Sequence, residues 1–241
     1  MPPHSSMLNA DTGYKCEAMK YTAIAGLTSA NLSLITMLIG HMGKHNLSWM
    51  SYQISSFAAN APNDSWITGS MLISCFSLLC IGVLISKYQI LGVNYFIHLL
   101  PILIGAAISG LLVLATFEET ARTLKALKAL PFDEIRQQSF HDAGLMVFFY
   151  CSICLSIMAG FFCMICQKGK KKLLGLIISS MGPASFFLMT TSWPKLIGIN
   201  GHSAGLKQRA SLMSLWIAMA LLLLLAFNIS LKRDRESLRH K

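Results

Sequence analysis

The sequence predicts an all-α fold: a polytopic membrane helix bundle of six transmembrane helices with both termini in the cytoplasm. Of the 241 residues, 54% are hydrophobic and only 12% are charged, whereas soluble domains carry about 25% charged residues. The apolar residues also gather into six runs, each near the roughly 20 residues that a helix needs to cross a bilayer. The distribution of Lys and Arg predicts the orientation.

The six runs define the membrane helices. They lie at about 21–41, 66–86, 93–116, 143–166, 173–193 and 210–231. Each must be helical, because the lipid offers the backbone no hydrogen-bond partner. The domain plan is a polar N-terminal tail at 1–19, a six-helix transmembrane domain at 20–231 and a basic cytoplasmic tail at 232–241.

Small and polar residues inside the runs predict how the helices pack. Ala106 and Gly110 are four residues apart, so they form one face on which another helix can approach closely. Pro101 and Pro183 are expected to bend the third and fifth helices. Asn31 lies in the middle of the first helix, where an amide is expected to find a hydrogen-bond partner across a helix interface.

Lys and Arg place the termini. With the N-terminus inside, twelve of these residues lie in cytoplasmic segments and eight in outer segments. The densest clusters, at 168–172 and 232–241, both flank membrane helices on the cytoplasmic side, as the positive-inside rule requires. The net charge of +10 is therefore attributed to the bilayer surface and not to nucleic acid. We expect a multi-pass protein of the cell (plasma or inner) membrane.

The most polar connection is residues 131–144, PFDEIRQQSFHDAG. It precedes the fourth helix on the predicted outer side. Pro131 is expected to end a preceding helical segment, and the Ser and Asp content around Ser139 and Asp142 is typical of a helix N-terminus. Asp133 and His141 are the two candidate catalytic residues in this stretch.

A pair of histidines marks the outer end of the first helix. His41 and His45 lie four residues apart and so share a helix face, where two imidazoles could hold a divalent metal ion. His141, with Asp133 or Asp142 on the same predicted side, would complete the site. The simpler interpretation, which we favour, is that these histidines form hydrogen bonds at the membrane boundary.

The cysteines do not form a zinc site. Cys151, Cys154, Cys163 and Cys166 resemble a double CxxC motif, but they lie along one helix. Cys151 and Cys163 would be roughly 18 Å apart at 1.5 Å per residue, too far to share one tetrahedral ion. No phosphate-binding loop or catalytic triad order is present either, so the sequence leaves open whether the protein is an enzyme.

Three segments carry a family resemblance: ISSFAANAPNDSWI before the second helix, PFDE with His141 eight residues after Asp133, and GLKQRASLMSLW before the last helix. Together they resemble the bacterial six-span membrane family catalogued as domain of unknown function 998 (DUF998). The resemblance implies a role for Asp133 and His141, and it aligns Gln208 and Arg209 with a basic pair before the last helix. It implies the fold and the membrane location more than an activity.

We expect a polar His/Asp pocket at the outer membrane face that binds a lipid or a small ligand, with the lipid bilayer as the surrounding partner. The candidate ligand-binding residues are His41, His45, Asp133, His141, Asp142, His202 and Arg209. Two alternatives remain open. One is a metal-dependent intramembrane hydrolase with His41, His45 and His141 as metal ligands. The other is a small transporter or a membrane scaffold.

Overall fold

The computed structural model describes residues 4–42, 64–91, 98–117, 131–199 and 203–239. The helices in these ranges are α1 His4–Met42, α2 Asp64–Ser86, α3 Leu99–Thr116, α4 Phe132–Cys166, α5 Lys170–Thr190, the short α6 Trp193–Leu196 and α7 Ala204–Arg239. Six of them, all except α6, are long and apolar enough to cross a membrane. This confirms the all-α bundle of six membrane helices. The predicted start of the third helix, at 93, lies outside the described residues.

The six long helices form a closed ring. Each packs on the next along the chain: α1 on α2, α2 on α3, α3 on α4, α4 on α5, and α5 on α7. The last helix then packs back on the first, so that α7 also contacts α1. A ring of six helices leaves a space at its centre, and that space holds the site described below.

The first and last membrane helices meet at one end of the ring. Arg233, near the end of α7, lies 3.9 Å from Met19 Sδ and 3.5 Å from the carbonyl oxygen of Tyr88. Gln167 Nε2, in the turn before α5, donates to the carbonyl oxygen of Ile90 at 3.1 Å. Exposed cations at this end, which we call the basic end, include Lys87, Lys168, Lys170 and Lys172. The first half of α1 and the last turns of α7 therefore meet at the basic end, and that both termini are cytoplasmic stays a prediction.

The opposite end, where α3 ends and α4 and α7 begin, is called the polar end. Trp66 and Trp193 both lie near it, at the start of α2 and in α6. The Trp66 side chain is exposed, and Trp193 Nε1 donates to the carbonyl oxygen of Leu188 at 2.9 Å. This placement fits the aromatic residues that line one membrane boundary.

Serine hydroxyls join neighbouring helices inside the ring. Ser29 and Ser77 link α1 to α2 at 2.9 Å, and Ser185 and Ser211 link α5 to α7 at 2.7 Å. Ser156 donates to a carbonyl oxygen of α5 at 2.6 Å. Hydrogen bonds of this kind between membrane helices contribute about 0.6–2 kcal/mol each, so three of the ring contacts are both polar and specific.

Glycines bring two helix pairs into backbone contact. A Cβ on Gly110 of α3 would lie 2.6 Å from the backbone nitrogen of Phe148 on α4, so the predicted small-residue face of α3 is confirmed at this position. A Cβ on Gly160 of α4 would lie 2.3 Å from the backbone nitrogen of Ser179 on α5. At both places a side chain would force the helices apart.

The prediction for Asn31 is wrong. Its side-chain Nδ2 donates to the carbonyl oxygen of Leu27 in the same helix at 2.9 Å, on an exposed face of α1. Interhelical bonds are made instead by the neighbouring Ser29 and Ser33. The helix itself begins at His4, so it includes most of the polar segment that the sequence assigns to a tail.

The predicted start of the fourth helix is also wrong. α4 begins at Phe132 and not near 143, so Ser139 lies inside the helix and its hydroxyl donates to the carbonyl oxygen of Ile135 at 2.8 Å. Pro131 precedes the first turn, where its missing N–H costs no hydrogen bond. Asp133 and Glu134 occupy that turn, where the helix dipole favours negative charge.

Candidate functional site

A cavity of about 400 Å³ lies inside the ring and extends inward from the polar end. Its wall is built by α1, α2, α3, α4 and α7. Most of the wall is apolar, with Met37, Leu78, Leu111, Phe148 and Leu222 as examples. The volume falls within the roughly 300–1,000 Å³ of typical small-molecule sites, and the apolar wall suits a hydrocarbon body.

The largest polar side chains of the described wall lie near the polar end, and its serines are spread along α1, α2 and α4. Gln208 and Arg209 come from the beginning of α7, and His141 comes from the first third of α4. The described side chains that line the cavity include no carboxylate. Among the described side chains, the wall therefore combines one permanent positive charge with largely uncharged, apolar groups.

His141 is fixed by a hydrogen bond to the end of α3. The side chain is only 3% exposed, and its Nδ1 lies 2.7 Å from the carbonyl oxygen of Phe117. That carbonyl lies just past the last turn of α3, where the helix cannot satisfy it. Because a carbonyl only accepts, Nδ1 carries the proton, and in the neutral ring Nε2 is left as an acceptor. The Phe117 and Phe140 rings stack at 4.9 Å beside this bond.

Replacing His141 by leucine is expected to destabilise the protein. The change leaves the carbonyl oxygen of Phe117 without its 2.7 Å donor, and a buried polar group that loses its partner costs about 1–3 kcal/mol. Thermal unfolding of the purified protein in detergent measures the loss as a lower Tm. His98→Leu is the matched control, since His98 is exposed before α3, and its Tm should not change. An equal Tm for both variants would show that the bond contributes nothing.

Ser152 offers an open hydroxyl to the cavity. Within the described part of the chain its buried Oγ has no hydrogen-bond partner, although the side chain lines the cavity. Other hydroxyls in the helices bond to a backbone oxygen of the preceding turn, as Ser74 does with Ser70 at 2.9 Å, which is the usual choice for Ser in a helix. The Ser152 hydroxyl is thus free to bond a ligand.

The structure separates the predicted acidic residues from the cavity. Asp133 is exposed in the first turn of α4. Asp142 is exposed as well, and its Oδ1 accepts a hydrogen bond from Gln138 Nε2 at 2.8 Å. Of the predicted site residues with described side chains, His141 and Arg209 line the cavity together. The described pocket therefore combines the predicted His141 and Arg209 with Gln and Ser side chains, and the predicted Asp133 and Asp142 are not among the residues that line it.

The other predicted histidines cannot be placed in this site. His45 and His202 lie outside the described residues, and His41 is in the last turn of α1 with its side chain outside them. Among the described side chains, no group of three or more His, Cys, Asp or Glu is arranged to hold a metal ion. The metal site with His41, His45 and His141 stays a prediction.

Sequence reasoning did not select Ser152 or Trp216. Trp216 lies inside an apolar run, away from the membrane boundary where Trp is usually found, and its Nε1 donates to the carbonyl oxygen of Ala30 on α1 at 2.9 Å. Ser152 follows His141 by eleven residues, which is three turns along the same face of a helix. The eleven-residue spacing, with Leu145 and Phe148 between the two residues, is the sequence feature that could have indicated that Ser152 lines the same cavity as His141.

Comparison with known proteins adds one match. A family model described as Protein of unknown function (DUF998) matches residues 27–225. That segment contains all the described residues that line the cavity. No curated protein and no solved structure matches the chain.

Proposed function

This chain belongs to the DUF998 family, whose description gives no activity, and we propose that it binds an anionic amphiphile in the cavity of the ring. The ligand is a lipid, or a small acid with an apolar body. One observation carries the proposal: a single apolar cavity has Arg209, Gln208 and His141 at one end. Such an arrangement matches a molecule with an acidic head and a hydrocarbon tail.

Arg209 selects the charge of the ligand. A charged side chain within a membrane helix is costly and usually marks a functional site. The Arg guanidinium forms paired hydrogen bonds with carboxylate or phosphate groups. Arg209 lines the cavity together with Gln208 and His141, so its guanidinium is placed to contact an acidic group of a bound molecule.

Uncharged groups around Arg209 add hydrogen bonds to the head group. His141 Nε2 is an acceptor in the neutral ring, and the Gln208 amide can donate. A head group with a hydroxyl beside its anion would use both. The Ser152 hydroxyl lies deeper in the cavity, about 16 Å from His141 along α4, where it can bond a polar group on the body of the ligand. This set supports a phosphate ester or an acid with hydroxyl substituents over a bare fatty acid.

The arrangement supports binding over passage through the membrane. On the basic side of the cavity, the described residues include a cluster of buried apolar side chains such as Met19, Leu84, Leu223 and Ile229. A transporter would need a polar path there.

A hydrolase that pairs Ser152 with His141 is disfavoured too, because the two residues lie eleven positions apart on α4, about 16 Å along the helix axis.

Quenching of Trp216 fluorescence tests the proposal, since Trp216 lines the cavity. The probe is a protein in which Trp49, Trp66 and Trp193 are replaced by phenylalanine, reconstituted in phosphatidylcholine vesicles. Phosphatidylglycerol with brominated acyl chains should quench Trp216 at a lower lipid fraction than brominated phosphatidylcholine does. Octyl phosphate, a soluble anionic amphiphile, should relieve the quenching.

Equal quenching by the two brominated lipids, with no effect of octyl phosphate, would contradict the proposal, because contact with the surrounding bilayer alone gives that result. Displacement by octyl phosphate without preference for phosphatidylglycerol would instead identify a small acid as the ligand.

A further inference from the structure

Two side chains of the cavity wall, one on α1 and one on α7, also face the outside of the ring. Leu38 of α1 and Met213 of α7 both line the cavity, yet their side chains are 54% and 40% exposed. Each lies on a stripe of exposed apolar residues that faces away from the ring, with Ile35 on α1 and Ile217 on α7. The same two side chains thus contact both the cavity and the region that the bilayer occupies.

Two close contacts between α1 and α7 lie on the basic side of this point. Trp216 donates to the Ala30 carbonyl oxygen at 2.9 Å. Further toward the basic end, a Cβ on Gly26 would lie 2.6 Å from Leu223 Cδ2. Nearer the polar end, α1 packs on α2 instead, where a Cβ on Gly40 would lie 2.6 Å from a side-chain carbon of Ile67.

We infer that the gap between α1 and α7, bordered by Leu38 and Met213, is a lateral portal through which a bilayer lipid enters the cavity. This inference rests on the proposed function and names its ligand as a membrane lipid. The α1–α2 contact draws the polar end of α1 toward α2. The hydrogen bond of Trp216 holds α1 and α7 together on the basic side. The opening between these two contacts is apolar and faces the acyl chains.

The portal leads directly to the charged group. Arg209 precedes Met213 by four residues on α7, so both lie on the same face of the helix, one turn apart. An acyl chain that passes Met213 brings its head group level with Arg209. Met is flexible enough to yield to a passing chain. A solute from water would gain nothing from an apolar opening, whereas a lipid would keep its tail out of water throughout.

Bulkier side chains at the portal test the inference. Leu38→Phe and Met213→Phe are combined in the protein that retains Trp216 as its single tryptophan. The control combines Ile35→Phe and Ile217→Phe, which lie on the same exposed stripes but do not line the cavity. Stopped-flow mixing with vesicles that contain brominated phosphatidylglycerol gives the rate of Trp216 quenching, and octyl phosphate binding is measured in parallel.

The portal variant is expected to be quenched about tenfold more slowly than the control, a change within the range of association rates among mutants of one site. Any change in its affinity for octyl phosphate measures the effect of the two phenylalanines on the cavity itself, and the slowing of lipid entry should exceed that change. Equal rates in the two variants would overturn the portal while leaving the proposed function intact. Loss of binding in the protein without portal changes would refute the proposed function. If the double variant unfolds, the quenching rate of the single variant Leu38→Phe, whose substitution lies at the more exposed of the two positions, is compared with the control instead.

Discussion

Replacing Arg209 by glutamine is expected to weaken the binding of anionic lipid about ten- to a hundredfold. Hydrogen bonds to charged groups contribute about 1.5–3 kcal/mol, and each 1.4 kcal/mol is a tenfold change in affinity. Arg209 is the only permanently charged side chain among the described residues of the cavity wall. The affinity for zwitterionic lipid should change little, so the ratio of the two dissociation constants, from the Trp216 quenching titration, is the decisive measurement.

Two further substitutions separate charge from geometry. Arg209→Lys keeps the charge but loses the planar pair of donors, so it should bind with intermediate affinity. Lys207→Gln removes a nearby charge that does not line the cavity, and it should bind as the unsubstituted protein does. If Lys207→Gln loses as much affinity as Arg209→Gln, the effect comes from the general surface potential, and Arg209 is not the anion site.

The number and type of membrane helices follow from the sequence, because bilayer thickness sets a length that apolar runs must meet. Helix ends follow less well. The fourth apolar run begins near residue 143, but α4 extends to Phe132, since a helix can continue beyond the bilayer wherever its polar residues tolerate water. Asn31 illustrates the same limit: hydropathy does not show which face of a helix meets a neighbour, and this amide faces outward.

The candidate site was predictable only in part. His141 and Arg209 were selected because charged and titratable groups are rare in membrane helices, and both line the cavity. Asp133 and Asp142 were selected by the same criterion, yet they are exposed. The difference is rotational: Asp142 follows His141 directly and therefore points about 100° away around the helix. Which residues converge depends on the order of helices in the ring, and no local pattern encodes that order.

Replacing Gly160 by alanine is expected to destabilise the protein by about 3 kcal/mol, the upper part of the usual range for overpacking. The added Cβ would lie 2.3 Å from the Ser179 nitrogen and 2.6 Å from the Gly175 carbonyl oxygen. Both are backbone atoms of α5, so no change of rotamer relieves the clash and the helix must move. The shift in Tm in detergent, compared with the unsubstituted protein, measures the effect.

Gly105→Ala is the matched control, because nothing lies within 4 Å of a Cβ at Gly105. It should keep or raise the Tm, since alanine favours helix over glycine by about 1 kcal/mol. Equal Tm changes in the two variants would mean that α4 and α5 are not in backbone contact.

Because α5 does not line the cavity, the folded fraction of Gly160→Ala should still bind anionic lipid with unchanged affinity. For Arg209→Gln we expect the larger effect on binding, so the ratio of the affinity change to the Tm change separates what holds the ring together from what it binds.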